Sequence, residues 1–424
     1  VPGEDRVSAA DKIEPAAQCG VVVAASGWLP VAGGAVCCRD ATAADAEGQQ
    51  RPVLNTSELE YELPEGCIAT VAAEPRDSAR LMVLAGRGAG EASHETVREI
   101  ARHLRAGDLL VFNTTRVLPA RLEGVRADTS GGVEGLFLCE VPHEGAARWK
   151  VLLRAKRARV GVRVALEAES GEATGVSLLL IEQDKDEAGA WLVEVEGAGA
   201  GESAAGVLGR VGRTPLPPYI ARARRQAGTV IADAVDRERY QTVYADEARP
   251  GSVAAPTAGL HFTPALLAEL GAMGVQRADV ILDVGTGTFR PVETATVEEH
   301  PMHSERCVMS REAVEAVRRA KAEGRRVIAV GTTSARTLEA YAAAMEGGGA
   351  APESLETSLL ITPGYRWRWV DGMLTNFHLP RSTLLAMVGS LVEGGLPRLK
   401  GVYAEAIARG YRFYSYGDAM IVLP

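Results

Sequence analysis

Between Gly107 and Arg213 the chain carries seven short β-rich runs with no helical pattern among them: DLLVFN, RVLPARLEGV, EGLFLCEV, WKVLLR, VGVRVAL, GVSLLLIE and AWLVEVEG. Strands at that spacing, separated only by turns, predict a compact antiparallel barrel or sandwich. After Arg213 the texture changes to strand, loop and helix in repetition. VQRADVILDV and RRVIAVG read as strands, REAVEAVRRAKAEG and TSARTLEAYAAAM as helices, and YRFYSYGDAMIVLP as a turn and a closing strand. Such alternation predicts an α/β body with a largely parallel sheet. The chain is therefore expected to be an α/β body, residues 58–106 and 214–424, with a β-barrel inserted at 107–213.

Other stretches fill in this plan. Leu59, Tyr61 and Leu63 alternate as a strand would, SARLMVLAG follows as a second strand, and HETVREIARHL has a helical apolar face. Residues 1–57, rich in Ala, Gly and Asp, read as a partly disordered extension. With 424 residues there is room for more than one core, and the formal charge of −9 excludes a protein that coats nucleic acid by bulk charge, though not a local basic patch. No 18-residue apolar span suggests a membrane helix. The N-terminal apolar stretch follows acidic rather than basic residues, unlike a secretory leader. The six cysteines have no framework or zinc spacing, so a reducing cytoplasm is expected.

The residues suited to chemistry lie at loop-to-helix junctions. In GSVAAPTAGLHFTPALL, His261 and Phe262 stand just before Thr263, an expected N-cap, and Pro264, an expected first helical residue. In VGTTSARTLE, Thr332 and Thr333 open a helix with Arg336 one turn in, as an anion cradle would, although plain N-capping explains the same residues. TNFHLPRST places Asn376, Phe377 and His378 before another helix. YSYGDAM sets Tyr414 near Asp418, a pair able to hold a cation or simply to pack. Gly285 and Gly287 in DVGTGTF follow a strand but lack the third glycine and the immediate helix of a dinucleotide fingerprint, so a tight turn is the simpler reading. His300, His303 and Glu305 in HPMHSE lack a metal-ligand motif, and a hydrogen-bonded loop or acid–base work explains them better than a metal. Basic clusters occur at RAKRARVGVR, RARR and RRAKAEGRR. RWRW, residues 366–369, has the interleaved guanidinium and indole suited to stacking single-stranded RNA bases.

Taken together, PLPPYI, RYQTVYA, PTAGLHF, VGTGTFRPV, HPMHSE, VGTTSARTLE, TNFHLP and YSYGDAM resemble, in order, the S-adenosylmethionine:tRNA ribosyltransferase-isomerases of queuosine synthesis, from about residue 58 to the C-terminus. The resemblance implies an α/β body with an inserted barrel. It also implies transfer and isomerisation of the ribosyl moiety of S-adenosylmethionine to 7-aminomethyl-7-deazaguanine at the tRNA wobble position, with epoxyqueuosine, adenine and methionine as products. S-adenosylmethionine is then a co-substrate, the tRNA anticodon stem-loop a partner, and no metal or prosthetic group is implied; a monomer is expected.

The sulfonium acidifies the ribose C5′ position, so a positioned base is needed, and His261, His303 and His378 are the acid–base candidates, with Glu305 orienting. Thr332 and Arg336 suit the methionine carboxylate, and Tyr414 and Asp418 the cation or the purine. This sequence has Asp283 where the family usually has His, and Thr114 where it usually has Asn or Asp; an imidazole exchanged for a carboxylate changes charge and protonation. Those departures keep two rivals open: a paralogue acting on a free deazapurine or small amine, and a tRNA- or nucleotide-binding protein without catalysis.

Overall fold

The computed structural model describes residues 36–38 by backbone, and residues 53–185, 187–199, 201–285 and 291–424. A ten-stranded sheet runs in the order Val36–Cys38, Leu355–Thr357, Glu305–Met309, Gln276–Leu282, Leu109–Asn113, Val327–Val330, Gly372–Asn376, Ala419–Val422, Arg80–Leu84, Ser93–Thr96. The four central strands, from Gln276–Leu282 to Gly372–Asn376, are mutually parallel, and antiparallel pairs occur toward both edges. Successive side chains of a strand point to opposite faces. Leu109 and Val111 accordingly enter one core, with helices Thr332–Ala344, Thr383–Leu391 and Gly395–Ala408, while Leu110 and Phe112 enter another beneath helix Pro264–Ala272.

The inserted module is a closed barrel of six strands in the order Ala173–Gln183, Ala190–Glu196, Arg148–Arg154, Gly132–Val141, Arg121–Arg126, Arg163–Glu167. Trp149, Val151, Val164, Leu178 and Val193 fill it, and helix Ala204–Val211 adds Val207, Leu208 and Val211 to the same core. Its strands alternate buried and half-exposed positions, as a closed sheet with one wet face requires. At Gly124 the neighbouring strand comes so close that a Cβ would lie 2.2 Å from the carbonyl oxygen of Ala165.

Several expectations need correcting. DLLVFN does not belong to the barrel: Leu109–Asn113 is buried throughout and pairs with Gln276–Leu282 and Val327–Val330 in the middle of the body sheet. Residues Leu59 to Leu63 form no strand, because they lie beside 3-10 turns at Thr56–Leu59 and Glu65–Cys67, and Pro64 has no N–H to give a ladder. HETVREIARHL divides into an edge strand, Ser93–Thr96, and a 3-10 segment, Val97–His103. The body also begins earlier than residue 58, since Leu54 is in the main core and Thr56 Oγ1 donates to the carbonyl of Thr294 at 2.8 Å. Apart from the strand Val36–Cys38, which pairs with Leu355–Thr357, the expected extension before residue 53 lies outside the described residues.

Candidate active site

The carboxyl ends of the parallel strands open on one cleft, the usual ligand position in an α/β sheet. Its wall takes Val284 from beyond Gln276–Leu282, Gly331, Thr332 and Thr333 from beyond Val327–Val330, and Thr375 to Pro380 from Gly372–Asn376 and its loop. Ala255 to Ala258, Tyr219, Pro291, Ser382, Leu384, Tyr414 and Ser415 complete it. Segments far apart in sequence are brought together because each is the exit of a neighbouring strand or the loop beside one.

Helix Thr332–Ala344 starts at the cleft without a hydroxyl cap. Its N-cap is Gly331, held at φ 93°, a conformation that an L side chain rarely adopts. The first-turn amides have no carbonyl four residues back, so they present donors and partial positive charge to the cleft. Thr333 Oγ1 accepts a hydrogen bond from Asn113 Nδ2 at 3.2 Å, which ties this corner to the central strand.

Opposite stands His378. Its backbone N–H donates to Tyr403 Oη at 3.0 Å, and its carbonyl accepts from Tyr61. Ring Nε2 lies 2.8 Å from Thr375 Oγ1, and Nδ1 has no partner among the described residues. Desolvation pulls the imidazole down to about 4, so it is neutral near pH 7. A neutral ring that donates Nε2–H to Thr375 leaves the Nδ1 lone pair free to accept a proton.

Beside it, Asn376 Nδ2 donates to the Tyr414 carbonyl at 3.0 Å, while its buried Oδ1 has no partner among the described residues. Tyr414, at φ 73°, stacks at a tilt on Tyr219 with ring centroids 4.5 Å apart. Burial pushes the Tyr219 phenol up to about 12, and its oxygen is 2.5 Å from Ser415 Oγ. Two ring faces beside a helix N-terminus suit a molecule with a cationic centre and a carboxylate.

Of the expected residues, Thr332, Thr333, Asn376, Phe377, His378 and Tyr414 therefore line the cleft, with Gly285 next to Val284. The others do not line it. His261 is buried with Nδ1 and Nε2 each 3.0 Å from a carbonyl oxygen, of Ala258 and Gly417 respectively, so the ring joins two backbone segments. Burial lowers its pKa and the two acceptors oppose that shift. Phe262 is enclosed edge-on against Phe112. His303 is exposed on its loop and does not line the cleft. Glu305 and Arg336 form a buried ion pair behind the helix rather than an anion site: Arg336 Nε also donates to the Leu359 carbonyl, and Glu305 accepts from the Gly285 amide at 3.2 Å.

Asp418 is 1% exposed, and its carboxylate takes hydrogen bonds from the side chains and backbone amides of Arg80 and Arg412, leaving it to lock a turn. Asp283 accepts from Thr115 Oγ1 at 2.9 Å, and burial raises its pKa. Gly287 lies outside the described residues. The RWRW segment is likewise structural: Trp367 and Trp369 pack on the main core, while buried Glu339 accepts from the amides of Arg368, Trp369 and Val370, each at 2.9 Å.

Sequence reasoning missed Tyr219 and Thr375 as site residues. Tyr219 lies within PLPPYI, and its place opposite Tyr414 depends on packing between segments almost two hundred residues apart. Thr375 could have been found because it opens the TNFHLPRST stretch, at the end of the apolar run of its strand. Among the described residues no three His, Cys, Asp or Glu side chains gather as a metal site, and no helix is long and apolar enough to cross a membrane.

Residues 56–422 match the family model described as queuosine biosynthesis protein. The S-adenosylmethionine:tRNA ribosyltransferase-isomerase of Anaeromyxobacter dehalogenans strain 2CP-C is 47% identical over 376 residues, 87% of this chain and 99% of that protein. The protein of the same name from Gloeobacter violaceus is 46% identical over 372 residues, 87% of this chain and 96% of its own length. A match that spans both the body and the barrel at this identity shows that the chain belongs to the S-adenosylmethionine:tRNA ribosyltransferase-isomerase family of queuosine biosynthesis.

Proposed function

We infer that this chain transfers and isomerises the ribosyl moiety of S-adenosylmethionine to the aminomethyl group of 7-aminomethyl-7-deazaguanine in tRNA, releasing adenine and methionine and leaving epoxyqueuosine. The observation that carries this reading is identity of 47% along essentially the whole length of a relative so named. The cleft supplies matching chemistry. Methionine carboxylate is assigned to the free amides at Thr332 and Thr333, and the sulfonium to the ring faces of Tyr219 and Tyr414. Asn376 Oδ1 is assigned to an N–H donor of the substrate. His378, neutral and oriented by Thr375, is the group assigned to remove the C5′ proton. With tRNA as acceptor, the reaction belongs in the cytoplasm.

The test is incubation with S-adenosylmethionine and tRNA carrying the aminomethyl base, followed by mass spectrometry of free adenine and of the digested nucleosides. Adenine together with epoxyqueuosine is expected. Adenine release with the free base but not with tRNA would point to the small-molecule paralogue, and neither product would leave a binding protein. His378→Ala is expected to lower kcat by about 10²–10⁴, the usual contribution of a positioned base.

A further inference from the structure

The cleft leaves unused the basic run RAKRARVGVR. Residues 155–162 form the loop between barrel strands Arg148–Arg154 and Arg163–Glu167. The chain joins the barrel to the body where Arg121 bridges Arg213, at the start of the six-residue strand Arg121–Arg126. The basic loop meets the other end of that strand, roughly 17 Å away at the usual rise per residue. There Arg126, only 5% exposed, donates to Asp128 Oδ1 and Oδ2 at 2.9 and 2.6 Å, and its Nη1 donates to the carbonyls of Lys156 and Arg157. A buried guanidinium thus fixes the backbone of an exposed loop, in which Arg157 takes φ 56°.

The charges on this loop differ from most of those elsewhere on the barrel. Arg121, Arg148, Lys150, Arg163 and Arg213 each meet a carboxylate. Exposed Lys156 and Arg157 meet none among the described residues, and Arg159 reaches only Asp128, at 3.7 Å, a group already engaged by Arg126. Unpaired cations on a backbone ordered in advance bind phosphates without a large ordering cost, and in a chain of net charge −9 they form a local exception. We propose that this far loop of the barrel docks the ribose–phosphate backbone of the tRNA at a point away from the modified base. The proposal rests on the tRNA-modifying function given above.

The test measures equilibrium binding, so it does not depend on turnover. Full-length tRNA and its isolated anticodon stem-loop are titrated with the whole protein, with K156E/R157E/R159E and with K156A/R157A/R159A, over a range of salt. Thermal melting confirms that the variants fold. The charge-reversed variant is expected to raise Kd for full-length tRNA at least tenfold, and the alanine variant to reduce the slope of log K against log salt by about 2, at roughly 0.7–0.9 per phosphate contact. Binding of the stem-loop is expected to stay within twofold. Unchanged tRNA affinity and slope in both folded variants would overturn the proposal, and an equal loss with the stem-loop would overturn its distal placement. Adenine release by the unmodified protein is measured separately, so failure of the catalytic reading is distinguished from failure of the docking surface.

Discussion

His378 couples the cleft to pH through stability. In the folded chain the imidazole titrates near 4 against an ordinary 6.5, so between those values the unfolded chain binds more protons. Stability contributed by the neutral ring is therefore complete above about 6.5 and declines as pH falls toward 4. His378→Gln is expected to flatten that part of the decline, which urea unfolding at pH 7 and pH 5 will register; an identical pH dependence in variant and parent would contradict the assignment. Gly259 illustrates a different residue-scale constraint. A Cβ there would stand 1.9 Å from Tyr244 Oη, whose ring is wedged edge-on against Phe112. Gly259→Ala is expected to cost about 1–3 kcal/mol by overpacking, measured by chemical denaturation. Local chemistry at this scale was legible in the sequence where it is short-range: Thr263 does accept from the Leu266 amide, and Pro264 does open its helix. His261 was not legible, because its second partner, the Gly417 carbonyl, is 156 residues away.

Among the elements, helix Thr332–Ala344 serves the cleft with its first turn and the core with the next. Arg336 looked suited to an anion from its spacing alone. A residue one turn in, however, stands about 6 Å further along the axis than the N-terminal amides, and here its guanidinium meets Glu305 from a neighbouring strand. Arg336→Ala removes the cation that faces this buried carboxylate, so a loss of about 3–5 kcal/mol in unfolding free energy is expected. The KM for S-adenosylmethionine in protein that remains folded is expected to change less than threefold; a large KM rise without destabilisation would return Arg336 to the ligand. The misplaced barrel boundary also has a physical reading. DLLVFN is apolar at consecutive positions, the pattern of a strand covered on both faces, whereas RLEGVR alternates as a barrel strand does. That distinction was present in the sequence, but β-richness alone obscured it.

For the molecule as a whole, the division into an α/β body and an inserted barrel followed from strand spacing and from where helices resume. The convergence of loops followed from the parallel order of the central strands. What periodicity could not provide was the rotation of each imidazole: the three acid–base candidates do not share the cleft, and His378 alone among them lines it. S-adenosylmethionine is assigned to this cleft, with its carboxylate at the start of helix Thr332–Ala344 and its sulfonium against the stacked pair Tyr219 and Tyr414. A crystal structure of the protein soaked with S-adenosylmethionine tests this most directly. Density for the nucleoside is expected within reach of His378 and Asn376; a ligand bound elsewhere, with these side chains untouched, would contradict the assignment.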